Sequence, residues 1–173
     1  VIRHKAVGVL GALALLPLVG CSSGDDKAYA VPDKLCGVPA KPALTKELLP
    51  GGDKLRVVKS QTANAAPDQY CTVHVDGDIE LVVEGIWQPA GTTAEQAADK
   101  AHAFNSRSAD EGRFALEDHK AFTVVDCKNT KYKSERFSIE ARLIHSDGDM
   151  SKKLQRFLDP FSEAYRKTLP CES

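Results

Sequence analysis

His74, Glu80 and Glu84 lie at even-numbered positions of a segment that alternates apolar and polar residues, so an extended chain sets all three on one face. An imidazole beside carboxylates is an acid–base set, because the imidazole titrates near neutrality and a carboxylate can orient or accept its proton. The same three side chains also make an ordinary solvated face, and no nucleophile accompanies them at a fixed spacing. A second candidate is the pattern HxDGD, found at residues 74–78 and again at 145–149. Two carboxylates around a glycine offer oxygens to calcium, yet a calcium loop supplies about six or more oxygens through a longer DxDxDG run that is absent here. Asp and Gly are equally what tight turns and helix caps select. The pattern therefore reads as a turn and a cap, and no metal site is expected. His102 and His119 have no partner spacing either. Trp87, the one tryptophan, ends an apolar run just before Gln88 and Pro89; its indole would line a ligand groove or pack beneath the helix that follows. The binding candidates are then Trp87, His74 and Glu80.

Enzyme signatures are missing. The chain contains no GxSxG elbow, HExxH zinc helix, GxxxxGK[ST] phosphate loop or GxGxxG turn. We therefore assign no catalytic residue and no cofactor and expect the protein not to be an enzyme.

The N-terminus carries the most specific information. Arg3, His4 and Lys5 precede residues 6–19, which bear no charge, and the run ends in Leu18-Val19-Gly20-Cys21 followed by Ser, Gly and Asp. A spanning helix needs about 20 apolar residues, so this segment is too short, and its flanks are those of a cleaved signal. Leu three residues before a cysteine, with a small residue just before it, resembles the bacterial lipobox. The resemblance implies cleavage between Gly20 and Cys21, with a diacylglycerol on the Cys21 thiol. Buried acyl methylenes contribute about 0.8 kcal/mol each, and two or more chains give stable attachment where one is marginal.

Residues 1–20 are thus expected to be a signal peptide, 21–34 a lipidated cysteine with a flexible tether poor in large apolar groups, and 35–173 a single globular domain. Cleavage moves the formal charge from −1 to −3, which offers no basic field for nucleic acid. Cys36, Cys71, Cys127 and Cys171 remain, an even set without CxxC spacing in a chain bound for an oxidising compartment. Two disulfides follow. Three pairings are possible; Cys36–Cys71 with Cys127–Cys171 is favoured because each bond ties a terminal element of one half to a strand in that half.

A short helix is expected over residues 43–49 and a strand over 55–58. The clearest element is a hairpin from Cys71 to Glu84. Its alternation predicts Val75 opposite Ile79, Val73 opposite Leu81 and Cys71 opposite Val83 across a three-residue Asp76-Gly77-Asp78 loop, with His74 beside Glu80 on the outer face. Thr92 or Thr93 opens a helix with a capping box, its inward stripe being Ala94, Ala97, Ala98, Ala101 and Phe104. After a polar link, residues 121–127 and 136–145 read as strands. Met150, Leu154, Phe157, Leu158, Phe161, Tyr165 and Leu169 form a helical stripe that continues across Pro160. This order predicts an α+β domain in two layers, an antiparallel sheet with helices packed on one face, and its two strand–strand–helix halves suggest a ββα pseudo-repeat.

The signal, tether and four further cysteines together resemble the small secreted lipoproteins of unknown function of actinobacteria. That resemblance implies a protein lipid-anchored through Cys21 at the extracytoplasmic face of the cell membrane, binding another envelope protein or a small ligand. A secreted envelope hydrolase is the alternative.

Overall fold

The computed structural model describes residues 26–172; the signal-type segment and Cys21 lie outside the described residues. Packing begins earlier than the expected tether boundary. Lys27 bridges Gly52, Ala28 donates to the Gly52 carbonyl, and Tyr29 is buried with its hydroxyl on the Pro50 carbonyl. Residues 27–29 thus pack on the domain inside the range expected to be a tether.

In chain order the elements are β1 (Lys34–Leu35), β2 (Val38–Pro39), α1 (Pro42–Lys46), β3 (Leu55–Gln61), β4 (Gln69–Val75), β5 (Asp78–Gln88), α2 (Ala94–Lys100), β6 (Arg107–Ala109), β7 (Phe114–Leu116), β8 (Lys120–Asn129), β9 (Ser134–Leu143) and α3 (Ser151–Arg166). Strands β3 to β9 form one seven-stranded antiparallel sheet in the order β3-β4-β5-β9-β8-β7-β6, with β1 and β2 as a separate small ladder. The α+β expectation is met at this level.

The β4–β5 hairpin shows how local turn chemistry and burial are reconciled. Asp76 (φ 52°) and Gly77 (φ 108°) both take the left-handed backbone that a two-residue type I′ turn requires, so Val75 pairs with Asp78. Continued without interruption, that register would set Val73 against Glu80. A bulge absorbs Glu80 as the extra residue, and Val73 then faces Leu81 and Cys71 faces Val83 as the alternation demands. The expected Val75–Ile79 pair and the His74–Glu80 neighbourhood are displaced; Ile79 is the residue opposite His74.

Strand parity divides the core in two. Leu81, Val83, Phe137, Ile139, Ala141 and the flanking β8 residue Ala121 pack with Leu154, Phe157, Leu158 and Phe161 of α3. Phe122 and Ala115, pointing the other way from their strands, pack with Ala94 and Ala98 of α2. The helices therefore lie on opposite faces, which corrects the single-face, two-layer expectation; the recurrence of strand–strand–helix is one of chain order only. Alternation tells which residues share a face but not which face a connecting helix will choose.

Capping of α2 follows the sequence: the Thr93 hydroxyl accepts from the Gln96 amide (3.2 Å) and the Gln96 side chain accepts from the Thr93 amide (3.0 Å). The helix stops at Lys100, and His102 enters the left-handed region (φ 59°), so Phe104 leaves the inward stripe and is 70% exposed. Helix α3 runs through Pro160 without a break. Both favoured disulfides are present, Cys36–Cys71 and Cys127–Cys171.

Gly85 is required by packing. A Cβ there would sit 2.6 Å from Phe137 Cε1 and 3.1 Å from the Tyr165 hydroxyl. Gly85→Ala should lower the stability by about 1–3 kcal/mol, the cost of overpacking a filled core, read as a lower urea midpoint at unchanged slope. An unshifted midpoint would show that the two rings can move aside.

Candidate functional site

His74 is satisfied locally, with Nε2 on the Thr72 hydroxyl (3.0 Å) and Nδ1 on the Gly77 carbonyl (3.3 Å). Glu80, in the bulge, is only 6% exposed, and its carboxyl faces His145 at 3.5 Å without a hydrogen bond to Oε2. Burial is the main cause that raises its pKa, opposed by His145. The structure thus does not join His74 and Glu80 into an acid–base set; the imidazole beside Glu80 belongs to the second HxDGD segment. In that segment Asp149, one residue before the α3 N-cap Met150, accepts from the Ser151 amide (2.8 Å), a local turn bond at the helix start. Among the described residues no group of three or more His, Cys, Asp or Glu could hold a metal ion.

Trp87 lies on the α3 face, so it does not pack beneath α2. Its ring tilts against Tyr132 (4.8 Å between centroids) and meets Phe137 edge-on (4.9 Å), and Phe137 in turn meets Tyr165 (5.4 Å). Beside these rings is a cavity of about 260 Å³ whose walls include Trp87, Tyr132, Tyr165, Lys59, Gln61 and Gln69. The indole Nε1 is buried and has no acceptor. A buried donor left unpaired costs about 1–3 kcal/mol. Burial also pushes the Tyr165 hydroxyl up to about 12, keeping it a neutral donor throughout the physiological range. Aromatic faces, two amides and one ammonium suit a ligand with a flat apolar side and polar oxygens.

The opposite face holds a second concavity, of about 360 Å³, between α2 and the β5–β9 pair. Glu84 and Glu140 are cross-strand partners there, Phe122 lies opposite Glu140 on β8, and Arg142 follows two residues along β9. Glu140 keeps 9% side-chain exposure, makes no hydrogen bond, and stands 3.7 Å from Arg142 Nε, which also lacks an acceptor. Burial raises the Glu140 pKa, Arg142 and Lys120 oppose that shift, and Glu84 and Glu117 reinforce it. The Tyr70 hydroxyl, directed at the Glu84 carboxylate, is held up to about 12. Sequence reading passed over Glu140 and Arg142 because polar residues alternating on a strand look like a solvated face.

A broader depression, of about 580 Å³, adjoins the Cys127–Cys171 bond. Several of its charges are engaged internally: Arg136 meets Asp126 at 3.0 Å and the Thr92 carbonyl at 2.6 Å, and Glu172 accepts from Thr130. Among the described residues no helix is long and apolar enough to cross a membrane.

The chain matches no family model, no curated protein and no solved structure, so the assignment of function rests on these two concavities.

A carboxyl whose pKa is higher folded than unfolded binds more protons in the native state, so stability falls as pH rises through that window. For Glu140 the loss begins near its ordinary value of 4.5 and is complete above the raised value. Glu140→Gln should flatten the decline of melting temperature over this range and raise stability at neutral pH. Glu80 is shifted the same way and retains part of the slope until Glu80→Gln is added. An identical pH profile in the Glu140 variant would contradict the burial argument.

Proposed function

We propose that this protein is a binding module of the cell envelope, tethered through a lipid on Cys21 at the extracytoplasmic face of the membrane, which takes a small ligand into the Trp87 cavity. The aromatic wall that Trp87, Tyr132 and Tyr165 present to that cavity, with polar side chains around it, carries the reading. A ring system built from Trp87, Tyr132 and Tyr165 offers area at low entropic cost, and the polar groups of Gln61, Gln69 and Lys59 orient what lies on it. The two disulfides agree with an oxidising location.

The alternative, an envelope hydrolase, is favoured by one observation: Glu84 and Glu140 sit side by side, one with a raised pKa, as a general acid beside a carboxylate base would. Arg142 at 3.7 Å from Glu140 weakens that reading, because a neighbouring cation favours the ionised form and pulls down the pKa that would keep a general acid protonated.

Because Trp87 is the sole tryptophan, its emission reports directly on the cavity. Soluble peptidoglycan fragments added to the purified chain should give a saturable change in emission. Tyr132→Ala should weaken the apparent affinity by about tenfold, equivalent to roughly 1.4 kcal/mol. No change in emission, or equal affinity in the variant, would contradict ligand binding at this cavity; new reducing ends or free amines released from the fragments would favour the hydrolase.

A further inference from the structure

We propose that the groove between α2 and the β5–β9 pair binds a free α-amino acid with an apolar side chain, Glu84 and Glu140 taking its ammonium and Lys100 and Arg142 its carboxylate. This site is on the sheet face opposite Trp87 and does not depend on the role given to that residue.

Three observations lead here. The groove is built around a loosely paired charge: Glu140 is nine-tenths buried at the cavity wall, its Oε1 forms no hydrogen bond, and Arg142 Nε, which likewise has no acceptor, stands at 3.7 Å, an ion-pair distance beyond hydrogen-bonding reach. Buried charged groups are ordinarily hydrogen-bonded, so an orphan acceptor and an orphan donor side by side mark a place where bonds are made by something else. The lining also balances, with Glu84 and Glu140 against Arg142 and Lys100. A bare cation or a bare anion would gain from one pair and be repelled by the other, whereas a zwitterion satisfies both. Ile86, Phe122, Ala97 and Ala101 supply an apolar part of the wall beside the polar Gln88 and Ser138. Alanines on α2 leave the room that larger residues would fill, and about 360 Å³ is at the small end of ligand sites.

Lys100 is preorganised. Its ammonium donates to Gln88 Oε1 (2.8 Å), and Gln88 is fixed in turn by donating to the Ser138 hydroxyl (3.0 Å). Two of the three ammonium protons remain for a carboxylate. Glu140 is faced by Glu84 from β5, Lys120 from β8, Glu117 ahead of β8, Arg142 on its own strand and Lys100 from α2. An arriving ammonium favours the ionised carboxyl, so binding should release a proton from Glu140 where it is still partly protonated.

The test is calorimetry on the full chain in detergent, with L-leucine, 4-methylpentanoate and 3-methylbutylamine as probes. These share one apolar side chain and carry both charges, only the anion, or only the cation. Leucine should bind at least tenfold more tightly than either analogue, with a heat that varies with the buffer's ionisation enthalpy. Glu140→Gln should weaken leucine about tenfold and remove the buffer dependence. Lys100→Ala alters an exposed side chain and leaves the core intact; it should weaken leucine severalfold while leaving 3-methylbutylamine unaffected. The proposal is overturned if leucine does not bind, if the analogues match it, or if Lys100→Ala leaves its affinity unchanged.

Discussion

Strand β9 is the middle strand of seven, and everything else in the domain answers to its being covered on both faces. Its alternation sends Phe137, Ile139, Ala141 and Leu143 toward α3 and Ser138, Glu140 and Arg142 toward α2. The first set forms the core. The second is polar and cannot escape, because β5 and β8 flank it and a seven-residue helix lies over part of it. A central strand that is apolar on both faces would be more stable, since unpaired buried charge is expensive. Retaining a carboxyl and a half-exposed guanidinium there, paired at 3.7 Å without a hydrogen bond, is a cost that the proposed recognition site would account for.

The α3 face is organised by contact among rings. Tyr132, Trp87, Phe137, Tyr165, Phe161 and Phe157 follow one another at centroid separations of 4.8 to 5.7 Å, leading from the surface into the core. Gly85 makes this possible by leaving β5 bare where Phe137 and Tyr165 approach. The disulfides fasten the periphery: Cys36–Cys71 ties the β1–β2 region to β4, and Cys127–Cys171 ties the segment after α3 to β8. Asn129 and Thr130 reinforce the second tie through the Pro170 carbonyl and Glu172. The walls of the Trp87 cavity are accordingly held by covalent and aromatic contacts from both ends of the domain.

Much of this was legible from residue order. Long alternating strands, the capping box of α2 and the apolar stripe of α3 each rest on strong local patterns, and the cysteine pairing on tying each terminal element to a strand of its own half. What escaped has identifiable causes. Strands β6 and β7 have three residues each, too few to show alternation, and the turn between them passes through Asp110, Glu111 and Gly112 at positive φ. Phe104 was drawn into a helical stripe that ends before it. The register at Glu80 depended on a bulge, which reconciles a two-residue turn with an apolar face and leaves no mark in composition. Of the candidate site, Trp87 could be named beforehand as the single large amphipathic ring. Glu140 could not, because its burial comes from strand position in a wide sheet and not from its neighbours in the chain.

Both concavities belong to a domain with paired cysteines and, by proposal, a lipid anchor only a few residues from the point where packing begins. Such a short tether would keep the ligand sites close to the membrane surface. The most direct measurement is the intact mass of the mature protein extracted from membranes with detergent, before and after alkylation of free thiols. A chain beginning at Cys21, heavier by a diacylglycerol and inert to the alkylating reagent, is the predicted result. A chain that retains residues 1–20, or begins at Cys21 with an unmodified thiol, would contradict it.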